Sequence, residues 1–247
     1  MPDYVYTEFS RNAVEPVECI KAGWHLIKDQ YWLFVGMSLV TILAGNAVPL
    51  GILMGPMMCG LFLAFFHRMR GEAVEFGTLF KGFDYFGQSV IATLIHLVPI
   101  VIVLAPFYLF FFVVAILSVP DSPSGRSNSP ALGVFFGVMG LLLLVMFLIL
   151  LVVSILFSFA YPLIVERKLS GVDAVKLSCK AGLGNFWGLL GLFLLNALMA
   201  IGGVLLCYAG VFLVMPIAFA AVAIAYQQVF GIAPGQSHYP PPPPMFN

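Results

Sequence analysis

Charge is what this chain lacks most. Residues 31–66, 85–120, 127–165 and 181–247 contain no Asp, Glu, Lys or Arg, and charged residues make up only 9% of 247 positions, against about 25% in soluble domains. Such a chain cannot present an ordinary wet surface, and 62% of it is hydrophobic. A helix needs about 20 apolar residues to cross ~30 Å of hydrocarbon, so the uncharged stretches hold several membrane spans rather than buried core helices. The formal net charge is zero, which leaves no whole-chain field to recruit nucleic acid. No short apolar core followed by a small-residue cleavage site opens the chain, so no cleavable signal peptide is expected.

Chemistry-bearing motifs are equally scarce. Cys19, Cys59, Cys179 and Cys207 form no CxxC and stand at no metal-ligand spacing with histidine, and in apolar or reducing surroundings they read as small hydrophobes. The chain has no G-x-S-x-G, no phosphate-binding glycine loop and no dinucleotide fingerprint. Ser154 and Ser158 have no charged or histidine partner in their own span. These absences argue against an enzyme, and neither a metal nor a dedicated cofactor is expected.

What is present is a repeated pattern. Val17, Ile20, Trp24, Ile27 and Tyr31 step by helical spacing along one face, with Glu18, Lys21, His25 and Lys28 off that stripe. Shifted by 155 residues, the stripe reads Val172, Val175, Cys179, Gly182 and Phe186; Lys21 becomes Lys176, His25 becomes Lys180 and Trp32 becomes Trp187. A weaker echo keeps the spacing at Phe76, Leu79, Phe83, Phe86 and Val90. Each stripe runs into a long apolar segment. The expectation is an all-α polytopic bundle of about six spans, built from three parallel units, each an interfacial amphipathic helix followed by a transmembrane hairpin.

In chain order this predicts a cytoplasmic arm at 1–13 and a single transmembrane domain at 14–230, with units 14–70, 72–168 and 171–230. A proline-rich cytoplasmic tail follows at 231–247. The helix at 14–30 should lie in the membrane plane, with Tyr31 and Trp32 marking the interface. The hairpin 31–66 breaks at Asn46–Pro49, and both its spans are slightly short. Residues 72–84 form a second, Gly-interrupted interfacial helix. Spans within 86–118 and 131–163 are long enough to tilt or kink, with Pro99 and Pro106 as kink points. Val119–Pro130 reads as an external loop, and the last hairpin turns at Tyr208–Gly210. Ten of the eleven Lys and Arg residues fall in segments that an even number of spans puts on one side, leaving Arg126 alone on the other. The positive-inside rule then places both termini in the cytoplasm of a bacterial inner membrane.

The segments GVDAVKLSCKAGLGNFWGLLGLFLL at 171–195, PVECIKAGWHLIKDQYWLF at 16–34, Gly55-Pro56 and FGTLFKGFDYFG at 76–87 touch all three units. Their order resembles bacterial polytopic membrane families of uncharacterised function, among them the membrane domain fused to glycerophosphodiester phosphodiesterases. The resemblance implies a fold. It carries over no catalytic residue, because the soluble phosphodiesterase domain is absent.

Candidate functional residues fall into two sets. Lys21, Trp24, Lys28, Trp32, Lys81, Lys176, Lys180 and Trp187 would meet headgroups or a partner at the interface, each lysine contributing about 1 kcal/mol near an anionic leaflet. Asn46, His96 and Asn196 are the intramembrane polar residues, and polar groups at that depth raise a functional question by default. For all three the reading favours interhelical hydrogen bonds, over a haem or chlorophyll ligand at His96 and a permeation path at the asparagines. Gly133-x-x-x-Gly137 and Gly184-x-x-x-Gly188 would allow close helix approach. The resulting expectation is a non-catalytic membrane protein that binds lipid or scaffolds other membrane subunits. The alternatives are a small transporter or channel, and a cofactor-carrying subunit using His96.

Overall fold

The computed structural model describes residues 9–47, 51–117, 130–205 and 209–231, with side chains over 9–47, 51–113, 137–205 and 210–231. The loop before Pro130, Pro49, the Tyr208 turn and the tail beyond Gly231 lie outside the described residues. The rest is helical: α1 (Pro16–Ile27), a 3-10 turn (Lys28–Gln30), α2 (Tyr31–Ala47), α3 (Met54–Met69), a 3-10 segment (Phe76–Tyr85), α4 (Phe86–Leu117), α5 (Pro130–Phe157), α6 (Ala160–Arg167), α7 (Gly171–Gly184), α8 (Phe186–Leu205) and α9 (Ala209–Phe230). Five runs are long and apolar enough to cross a membrane: Pro16–Ala47, Phe76–Val113, Gly137–Arg167, Phe186–Leu205 and Gly210–Phe230. This is a multi-pass helical membrane protein. The sixth expected crossing, α3, has only 16 residues, about 24 Å at 1.5 Å per residue.

The chain divides into two compact units, one of Met1–Ile95 with Ile155–Asn247 and the other of His96–Ser154. The smaller unit holds α4 from His96 onward and α5 up to Ser154, where apolar side chains such as Ile102, Leu109, Leu141 and Phe147 point outward. α4 runs as one uninterrupted helix through Pro99 and Pro106. Each proline removes one N–H from the ladder, and α4 continues past both.

In the larger unit the core is built on α3. Leu61, Phe62, Phe65 and Phe66 are buried, as are Phe34, Phe159 and Tyr226 around them. The Phe34 and Phe65 rings stack with centroids 5.0 Å apart, and Phe66 meets Tyr226 at 5.4 Å. Lipid tails are as apolar as these rings, so close packing, more than water exclusion, must hold such a cluster together.

Three packing contacts order this unit. α1 lies on α9, the 3-10 segment on α3, and α7 on α6. Each element that opens an expected unit therefore rests on the helix that closes the one before, with α1 closing the cycle. The close-approach residue recurs too: Gly23, Gly82 and Ser178 each stand six positions after the start of their stripe. A Cβ on Gly23 would meet the Ala221 nitrogen at 2.9 Å, and one on Gly82 would overlap the Pro56 carbonyl and the Gly60 backbone. At Ser178 the contact is polar. Its Oγ donates to Leu156 O (2.7 Å) and accepts from Phe159 N (3.1 Å), bridging the break between α5 and α6.

Several expectations change here. The second amphipathic element is a 3-10 segment at 76–85 and not an α-helix over 72–84, and Gly82 is held against Pro56 and Gly60. α1 does not lie crosswise to the spans but runs antiparallel along α9. Glu15 N bonds Gln228 Oε1, Gly23 faces Ala220 and Ala221, and Tyr31 Oη donates to Leu213 O at 2.6 Å. The small residues at Gly23, Ala220 and Ala221 allow that lengthwise approach. The fourth run passes Tyr161–Pro162 as expected and reaches Arg167, but its helix breaks after Phe157, where Ser178 bonds Leu156 O and Phe159 N before α6 resumes. Gly184 and Gly188 pack against Phe9 and Val14 of the N-terminal segment, not another helix, and Gly137 has open space around it.

Candidate functional site

The collar residues are outward-facing. Lys28, Lys81, Lys176 and Lys180 are exposed, and none takes a carboxylate partner among the described residues, whereas Lys21 is tied to Glu18 at 3.0 Å. Trp32 is 74% exposed and Trp187 76%, although both sit at the starts of apolar helices. Trp24 is 41% exposed and meets the Tyr31 ring edge-on at 5.4 Å. The stripe itself is split. Val17 and Trp24 look outward while Ile27 is buried, because α1 packs on α9 through Cys19, Gly23 and Leu26 instead.

Within the intramembrane set Asn46 differs from expectation. It is exposed, and its Nδ2 donates to Ile42 O of its own helix at 2.8 Å; no interhelical bond forms there among the described residues, because a carbonyl one turn back is within reach of the short amide. Asn196 is half-buried, and its Oδ1 has no hydrogen-bond partner among the described residues. His96 is half-buried in α4. Among the described residues no three His, Cys, Asp or Glu side chains converge on one metal position.

The N-terminal segment forms a site that sequence reasoning missed. Ser10 N donates to Val229 O (2.8 Å), and Asn12 N to Gly184 O (3.2 Å). Asn185, fully buried, accepts from Ala13 N at 2.9 Å and donates to Ser10 O at 2.9 Å and Ala181 O at 3.1 Å. The arm is therefore clamped from Ser10 to Ala13. Between it, α7 and the end of α9 lies an open cleft of about 650 Å³, lined by Phe9, Arg11, Lys180, Gln227, Gln228 and Phe230 among others. The available signal was Asn185 itself, a polar residue between two apolar helices, at the place that Gln30 occupies in the first stripe. On the opposite side of α1, Arg68 ties α3 down, donating to Asp29 Oδ2 (2.6 Å) and Leu26 O (3.1 Å).

Burial pushes the Cys179 thiol above its ordinary value, so it stays protonated and unreactive near neutral pH. No family model, curated protein or solved structure matches the chain.

Proposed function

We propose that this membrane protein is a non-catalytic module that retains anionic lipid, or a membrane partner, through exposed lysines and tryptophans at the ends of its helices. The carrying observation is that Lys28, Lys81, Lys176 and Lys180 stand exposed without a carboxylate partner among the described residues, and that Trp32, which lines one surface hollow with Lys28, and Trp187 are three-quarters exposed. Cations and amphipathic rings held out in this way suit a headgroup layer, which takes positive charge and indole rings together. A transporter would place its costly polar groups at mid-membrane, where this chain has only isolated ones.

The proposal includes six crossings with both ends cytoplasmic, in a bacterial inner membrane, and the three-unit fold of the families it resembles. Support comes from the meeting of the two described chain ends: Ser10 bonds Val229, and the Phe9 and Phe230 rings lie 6.3 Å apart. Ends that lie together fit an even number of crossings, with α3 as the sixth beside the five longer runs. A helix that short would be accommodated by local thinning of the bilayer. A cysteine introduced at Ser124 should accordingly be labelled from outside only; labelling from the cytoplasm would remove this topology.

The functional test replaces Lys28, Lys81 and Lys176 together by glutamine. Retention on vesicles containing phosphatidylglycerol should fall by roughly ten-fold or more and lose its salt dependence, with helicity unchanged. Undiminished retention, joined with loss of solute flux in His96→Ala or Asn196→Ala, would replace this reading with a transporter.

A further inference from the structure

We infer that the cleft between the N-terminal segment, α7 and the end of α9 is a discrete binding site for one phosphate-bearing ligand, held by Arg11 and Lys180. The inference rests on the lipid-retaining reading for the source of the ligand and on the cleft for its chemistry. Arg11 and Lys180, far apart in sequence, both line this cavity of about 650 Å³, and no carboxylate lines it among the described residues. Neither cation takes an ion-pair or side-chain hydrogen-bond partner among the described residues. Two cations lining one cleft of ligand size, without a counter-charge among the described residues, call for an anion.

An obvious competing role for these cations is to complement the negative end of α9. That end is already served. Val229 O accepts from Ser10 N, Gln227 O from Gly231 N, and Phe230 O from Arg167 Nη2 at 3.1 Å. Arg167 also stacks on the Phe230 ring at 4.9 Å, adding positive charge behind the cleft wall. Gln228 supplies neutral donors. Its Oε1 is held by Glu15 N (3.0 Å) and Cys19 Sγ (3.1 Å), which leaves the amide NH₂ as its uncommitted end. A guanidinium fork, an ammonium and an amide suit a phosphate with its several acceptor oxygens. Phe9 and Phe230 give the same cleft an apolar wall, which favours a phosphate carrying a glycerol or acyl body.

The test uses the full chain in phosphatidylcholine nanodiscs. One arm adds phosphatidate to the bilayer; the other adds inorganic phosphate or glycerol phosphate to the solution. Ligand bound per chain is counted by native mass spectrometry. Wild type should hold one phosphate-bearing ligand per chain, and Arg11→Gln with Lys180→Gln should weaken it by roughly ten-fold or more, the loss expected for charge-assisted hydrogen bonds. Arg11→Lys should restore part of the binding. Both side chains are exposed, so neither change endangers the fold. Binding of phosphatidate alone makes the ligand a lipid headgroup, and binding of soluble phosphates as well makes it the phosphate group itself. Binding unchanged by the double substitution, or none in either arm, overturns the site. The triple lysine variant at 28, 81 and 176 separates the two readings. If it keeps full vesicle retention while the cleft variant loses its single ligand, the collar fails and the cleft stands; the reverse pattern sinks the cleft alone.

Discussion

Gly82→Ala should leave little folded protein to extract, whereas Gly77→Ala and Gly87→Ala in and beside the same segment should be tolerated. A Cβ at Gly82 would overlap the Pro56 carbonyl and the Gly60 backbone, while one at Gly77 or Gly87 meets nothing within 4 Å. The clash is with main chain on α3, so no rotamer change can relieve it. Overpacking usually costs about 1–3 kcal/mol and occasionally more; with backbone on both sides of the contact, the expected cost lies at or above the top of that range. Its consequence reaches well beyond one residue. The 3-10 segment covers α3, and α3 carries Phe62, Phe65 and Phe66 into the aromatic core. Unfolding titrations of the three variants in detergent decide it, and a Gly82→Ala midpoint equal to that of Gly77→Ala would show that the segment packs loosely.

The same contact marks how far the sequence could be read. Uncharged runs give the helices away because hydrocarbon tolerates few charges, and helical spacing of apolar residues puts α1 at 14–30 and α7 at 172–183, within three residues of the observed Pro16–Ile27 and Gly171–Gly184. Hydrophobicity does not say which apolar face meets lipid and which meets protein, since both environments are apolar. That is why Val17 and Trp24 look outward while Cys19 and Gly23 make the contact with α9. Small residues held that information, but Gly23 and Ala221 become meaningful only once they are seen facing each other. The 3-10 form of residues 76–85 was hidden for a related reason. Its spacing imitates an amphipathic helix, and its close approach to Gly60 is a tertiary demand.

The cleft was less legible still, because its two cations lie far apart in the sequence. Arg11 lies in a segment that reads as a solvated arm, and Lys180 in one that reads as a lipid-facing helix. What joins them is a single buried amide, which leads to the second large effect. Asn185→Leu should free the N-terminal segment, at a cost of about 1–3 kcal/mol. Ala13 N and Ser10 O would both lose their side-chain partner, and each such part-buried hydrogen bond contributes about 0.5–1.5 kcal/mol. Leucine keeps asparagine's branched shape but is bulkier, so no cavity opens and the loss reflects broken hydrogen bonds with some overpacking. Hydrogen exchange should then rise across residues 10–15 well before α7 and α8 open, since those helices keep their own ladders. The phosphate-bearing ligand should weaken about as much as in Arg11→Gln, although Arg11 keeps its charge, because its main chain is no longer pinned beside Lys180. Exchange at Ser10 and Ala13 as slow as in wild type would show that the remaining bonds, Ser10 to Val229 and Asn12 to Gly184, hold the segment without Asn185.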